Sequence, residues 1–150
     1  MSKWIWLDMD GTISNLYGVE GWLEDIRAEC PRPYKEAAPI YDTIDLLVTL
    51  SDLKSKGYKI GIISWLSKKA TPKYQKEIIQ AKKNWLREQY LDMLLDEIII
   101  TAYGIKKSAS CASYGVGILV DDEKQNREEW NLGKTIDATK NIIEQLRELL

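Results

Sequence analysis

The 150-residue chain is expected to fold as one α/β domain, a parallel sheet of about five strands with helices on both faces. Three observations predict this. Short apolar runs of strand length alternate with helix-period segments about five times along the chain. Side chains able to do chemistry stand where the strand-like runs end, which is where such sheets place their sites. The length suffices for one domain with a real core and falls short of two.

Taken in order, Trp4-Ile5-Trp6-Leu7 reads as the first strand, ending at Asp8. The segment 13–39 carries Gly18, Gly21, Pro31, Pro33 and Pro39 around one short amphipathic stretch, 21–27, and reads as a small cap inserted over the strand's end. Its aromatics Tyr17, Trp22 and Tyr34 are candidates to line a substrate pocket, although packing the insert onto the domain is their more ordinary job. From Ile40 to Lys56, apolar residues at Ile40, Ile44, Leu47, Val48 and Leu53 predict a helix with Gly57 as its stop. Tyr58 to Ile63 predicts a buried strand ending at Ser64.

Thr71-Pro72 predicts a capped helix entrance, with Tyr74, Ile78, Ala81 and Trp85 on the core face. Glu97 to Thr101 predicts a third strand, followed by a basic segment around Lys106-Lys107. Gly117 to Val120 predicts a fourth, ending at Asp121-Asp122. Lys134 to Ile136 predicts a short fifth, before a last helix with Asp137 as N-cap and Ile143, Leu146 and Leu150 on one face.

Composition narrows the function. Formal net charge is −2, so no global field draws nucleic acid. Apolar runs of four to six residues fall short of the roughly 20 needed to cross a bilayer, and no leader pattern opens the chain, which predicts a cytoplasmic protein with no membrane partner. Cys30 and Cys111 form no metal or disulfide pattern and are expected to be free thiols. Histidine is absent, which removes Ser-His-Asp and Cys-His hydrolysis, His-ligated zinc and imidazole bases together. Any catalysis is left to carboxylates, lysine and hydroxyls, with or without a hard metal.

Asp8-Met9-Asp10-Gly11-Thr12 fits that requirement. On an extended strand Asp8 and Asp10 share one side, their Cα atoms roughly 6–7 Å apart. Two carboxylates facing one volume repel unless a cation or a proton relieves them. The plain alternative is an Asp-Gly turn closing a strand.

The set of strand ends resembles the haloacid dehalogenase superfamily of phosphatases. Asp8 to Thr12 matches the family's DxDGT motif, Ser64 its hydroxyl after a hydrophobic strand, Lys106 or Lys107 its lysine, and Asp121-Asp122 with Asn126 its acidic pair. The four matches occur in the family's order over about residues 4–126. The small cap and closing acidic pair are loosely similar to the deoxyribonucleotidase-like members.

The resemblance implies a Rossmannoid phosphohydrolase with Asp8 as nucleophile, forming an aspartyl-phosphate, and Asp10 as the acid for the leaving group and then the base for water. It implies Mg²⁺ held by Asp8, the Asp10 carbonyl and Asp122, with Asp121 direct or through water. It places Ser64 and a lysine on the phosphoryl oxygens, with Gly11, Thr12 and Trp65 beside them. Lys106 and Lys107 both remain candidates, Ser108 and the Tyr103-Gly104 turn favouring Lys107. Crowding by Asp8, Asp121 and Asp122 is the expected cause of a raised Asp10 pKa.

The preferred substrate is a small phosphate monoester such as a nucleoside monophosphate, with Trp22, Tyr34 and Trp65 placed to stack on a base. Asp121-Asp122 with Asn126 and Trp130 also resembles the phosphatase part of polynucleotide kinases, which makes a nucleic-acid terminus the second substrate reading. A non-catalytic binding protein that kept the fold is the third. Lys68, Lys69, Lys73, Lys76, Lys82, Lys83 and Arg87 crowd one segment and are expected to form a solvated helix face.

Overall fold

The computed structural model describes residues 3–150. Five parallel strands, β1 (Trp4–Leu7), β2 (Lys59–Trp65), β3 (Glu97–Thr101), β4 (Gly117–Asp121) and β5 (Thr135–Asp137), form one sheet in the order β3-β2-β1-β4-β5. The α/β class and the all-parallel sheet are those the alternating pattern predicts. From the central strand β1 the chain winds first toward β2 and β3, then returns to the other side for β4 and β5. That reversal opens a crevice beyond the carboxyl ends of β1 and β4.

Alternation along the strands sorts the two faces. Ile5, Leu7, Ile60, Ile62, Ile118 and Val120 share one core with Leu46, Leu50 and Leu53 of α3 (Thr43–Ser55) and Ile142 and Leu146 of α7 (Ile142–Arg147). Trp4, Trp6, Ile63 and Leu119 pack in a second core with Cys111 of α5 (Lys107–Cys111) and with Trp130, which follows α6 (Lys124–Glu129). The Trp4 and Trp6 rings stack at 4.7 Å between centroids. Gly61, the register partner of Trp6, makes room for them, because a Cβ there would lie 2.4 Å from the Trp6 ring. Both cysteines are free thiols.

The segment 13–39 contains α1 (Trp22–Arg27) and α2 (Arg32–Glu36), more regular than its glycines and prolines suggest. Leu16 and Tyr34 from this segment share a third core with Leu66 and with Tyr74, Ile78 and Ala81 of α4 (Pro72–Glu88). Glu29 fastens it to the N-terminus of α4 by accepting from the Thr71 amide and hydroxyl at 2.9 and 2.8 Å. Thr71 caps α4 as expected, its hydroxyl accepting from the Tyr74 amide.

Two helices depart from the sequence reading. The inward face of α3 is Leu46, Thr49, Leu50 and Leu53, whereas Ile40, Ile44 and Val48 are exposed. This helix is apolar on two sides, and the sheet selects the side where Thr49 can donate to the Asp45 carbonyl at 2.8 Å and bury its methyl group. The last helix begins at Ile142, capped by Asn141, and buries Ile142 and Leu146 while Leu150 is exposed. Asp137 is not its cap: it ends β5, one residue beyond the expected strand, and accepts from the Thr139 amide and hydroxyl. Among the described residues no helix is long and apolar enough to cross a membrane.

Candidate functional site

The register that pairs Leu7 with Val120 sets Asp8 beside Asp121, and the Asp8 amide donates to the Val120 carbonyl at 2.9 Å. Both carboxylates are buried, Asp121 completely. Lys107, the first residue of α5, enters between them, its Nζ at 2.8 Å from Asp8 Oδ1 and 2.6 Å from Asp121 Oδ2. Burial works against the charge on Lys107, but the two adjacent carboxylates outweigh it and hold its pKa above the ordinary value. The same nitrogen lies 5.5 Å from the centroid of the Trp65 ring. Lys106 is exposed and contributes to the wall of the cavity.

Asp121 also accepts from the Asn126 amide group at 3.1 Å and from the Glu123 backbone amide at 2.9 Å. The acidic pair therefore shapes the entry to α6 as well as the site. Asp122 is half-buried, and the Thr12 hydroxyl lies 3.0 Å from Asp8 Oδ2 and 3.3 Å from Asp122 Oδ1. Gly11 makes this approach possible. Its φ is +81°, and a Cβ would fall 2.3 Å from Asp122 Oδ2. The Gly11 and Thr12 amides donate to the Ser14 and Met9 carbonyls, closing the turn, and neither residue lines the cavity.

Oxygen atoms of Asp8, Asp121 and Asp122 lie within 4.8 Å of one another, so this buried triad could bind a metal ion. The electrostatics fit a cation. Burial first, and the neighbouring Asp8 second, push the Asp122 carboxyl up to about 8 and raise Asp121 as well. One lysine does not neutralise three carboxylates. Hard oxygen donors of this kind suit Mg²⁺ or Ca²⁺.

Asp10 has a raised pKa, and the main cause differs from the expected crowding. Burial is the largest contribution, Lys82 opposes it, and Asp8 adds to it. Lys82, which the sequence reading placed on a solvated face, is instead buried beside Asp10. Lys68, Lys69, Lys73, Lys76, Lys83 and Arg87 are exposed as expected, but Lys82 is 1% exposed and its Nζ meets Asp10 Oδ2 at 3.0 Å, Ser64 Oγ at 2.6 Å and the Trp65 carbonyl at 2.7 Å. The signal was its spacing: position 82 stands four after Ile78 and eight after Tyr74, on the buried stripe. Ser64 is thus brought to Asp10 through Lys82 and does not itself line the cavity.

A cavity of about 550 Å³ opens over these groups. Asp8, Asp10 and Lys107 contribute to it, together with Tyr17, Trp22, Tyr34 and Trp65, so all three pocket aromatics expected of the insert are present. Tyr17 and Trp22 meet edge to face at 4.9 Å, and Trp65 packs against Tyr103 at 5.0 Å. Tyr34 serves both roles, being also part of the third core. The chain matches no protein-family model and no curated protein.

Proposed function

We propose that the protein is a Mg²⁺-dependent phosphohydrolase of the haloacid dehalogenase type, acting on a small phosphate monoester through an aspartyl-phosphate. The observation that carries this reading is Asp8: a buried carboxylate at a cavity wall, oriented by Lys107 and Thr12, with Asp10 alongside. A carboxylate so held is a nucleophile that needs no histidine.

In the first step an Asp8 oxygen bonds to phosphorus as the bond to the ester oxygen breaks, and the proton of Asp10 passes to that oxygen. In the second a water oxygen bonds to phosphorus, the bond to Asp8 breaks, and the water's proton passes to Asp10. Lys107 uses two of its three protons on Asp8 and Asp121, which leaves one for a phosphoryl oxygen. Asp8, Asp121 and Asp122 would hold Mg²⁺, which supplies charge neutralisation for the transferring group.

The cavity suits a phosphate on an aromatic body, and a nucleoside monophosphate is the preferred substrate. A nucleic-acid terminus is the second reading, favoured by Lys68 and Lys106 in the cavity wall. A screen of phosphorylated metabolites and oligonucleotides with 5′- or 3′-phosphates, with and without Mg²⁺, tests both. Mg²⁺-dependent phosphate release from nucleoside monophosphates, abolished by Asp8→Asn, is the expected result. No release from any ester would leave a binding protein of the same fold.

A further inference from the structure

Lys82 sits where an apolar residue would complete the inner face of α4. It is flanked there by Ile78, Ala81 and Trp85. A lysine ammonium carries three protons, and Ser64 Oγ, the Trp65 carbonyl and Asp10 Oδ2 take one each. The Tyr34 ring lies 5.2 Å from the same nitrogen. No proton is left for a substrate oxygen, which distinguishes Lys82 from Lys107. Burying an ammonium is costly, and a buried polar stripe position is retained most simply where the charge holds something in place. Two of its three acceptors are fixed by β2, whose residues Ser64 and Trp65 pair with Ile100 and Thr101 of β3. The third, Asp10, lies beyond β1 in a turn, where its backbone makes an isolated bridge to Ser14 rather than a place in the sheet.

We propose that Lys82 is a positioning residue for proton transfer, tethering Asp10 Oδ2 to the rigid end of β2 so that Oδ1 is the oxygen that exchanges the proton with substrate and water. The inference rests on the phosphohydrolase reading for its chemistry and on the geometry alone for the tether. Among the described residues Asp10 Oδ1 has no hydrogen-bond partner, and Asp10 lines the cavity. Tyr34, from the cap segment, covers the tether and lines the same cavity, so the substrate pocket and the proton-transfer group share one support.

The test uses the full chain with Mg²⁺ and two variants. Lys82→Met removes the ammonium at similar length, and Lys82→Gln keeps two donors for Ser64 and the Trp65 carbonyl, which guards against a folding defect in the first. Each is given 2,4-dinitrophenyl phosphate, whose leaving oxygen needs no proton, and glycerol phosphate, whose leaving oxygen does. Steady-state turnover is expected to fall on the order of 100-fold on both, because the second step needs Asp10 as base. The burst of dinitrophenolate, one per chain, should keep its rate within about threefold, because the first step then needs no acid. An equal loss of burst and turnover, or unchanged turnover on glycerol phosphate, would overturn the proposal. Crystal structures of the variants supply a readout that needs no activity: Asp10 should turn away from Ser64 while Asp8, Lys107 and Asp121 stay in place. An unmoved Asp10 carboxylate would equally overturn the tether. A wild-type chain that cleaves neither these two esters nor any nucleoside monophosphate or terminal phosphate of the screen would instead remove the phosphohydrolase reading, and the crystal structures would still decide whether Lys82 holds Asp10.

Discussion

Lys107 donates to Asp8 at 2.8 Å, joining residues 99 positions apart, and by reaching Asp121 at 2.6 Å it ties the ends of β1 and β4 together across the crevice. With Asp8 and Asp121 both buried, the lysine is a structural necessity. Lys107→Met should lower stability by about 3–5 kcal/mol, because two buried carboxylates lose the cation paired with both. Lys106→Met, at an exposed position, should change it by less than about 0.5 kcal/mol. Urea titration of both variants separates the two lysines directly.

Asp122 makes the metal-free protein pH-sensitive. Its folded pKa, about 8, lies far above the ordinary value of 3.8 that it has when unfolded. Between those values the folded state binds the extra proton, so stability falls as pH rises from about 4 to about 8 and levels off beyond. Asp10 and Asp121, also raised, add to the fall. A cation at the triad offsets the cost of these buried charges, so Mg²⁺ should raise the Tm more at pH 8 than at pH 5. Melting curves at the two pH values, with and without Mg²⁺, check this, and Asp122→Asn should flatten both the pH dependence and the metal effect.

Gly11→Ala should cost more than a left-handed backbone alone explains. At Gly57, φ is +98° and the space around a Cβ is open, so alanine there costs about 1–2 kcal/mol. At Gly11 the added methyl group also meets Asp122 Oδ2 at 2.3 Å. The predicted outcome is a larger loss of stability at Gly11 than at Gly57, by denaturant titration, and weaker Mg²⁺ binding by calorimetry at Gly11 only.

The orientation of α3 is tested by two substitutions on opposite sides. Leu50→Ala, at a fully buried site, should cost about 2–5 kcal/mol. Ile44→Lys, at a residue 69% exposed, should leave stability within about 0.5 kcal/mol. The opposite ranking would restore the stripe through Ile44 and Val48 as the core face.

Most of the sheet is legible in the sequence because parallel strands buried on both faces read as short continuous apolar runs, as Trp4 to Leu7 and Gly117 to Val120 do. The site is legible for the same reason: each run stops at a polar residue, and Asp8 and Asp121 are those residues. What is less legible depends on which way a helix faces. Lys82 looks like one more solvated cation among Lys76, Lys83 and Arg87, and only its spacing from Ile78 and Tyr74 sets it inward, where Asp10 and Ser64 give its charge partners. In α3 both faces offer apolar residues, and Thr49 hides at a core position by satisfying its own hydroxyl. Asp137 has the composition of a helix cap, but its pairing with Asp121 keeps it in the sheet and leaves the cap to Asn141.

In the proposed reaction Asp8 carries the phosphoryl group between the two steps. Rapid acid quench of the protein during turnover of a nucleoside monophosphate with Mg²⁺, followed by peptide mass spectrometry, measures it directly. The predicted result is one phosphoryl group on the peptide that carries Asp8, at Asp8 itself, and none in the Asp8→Asn variant. A phosphoryl group on another residue, or turnover that Asp8→Asn leaves unchanged, would contradict the account.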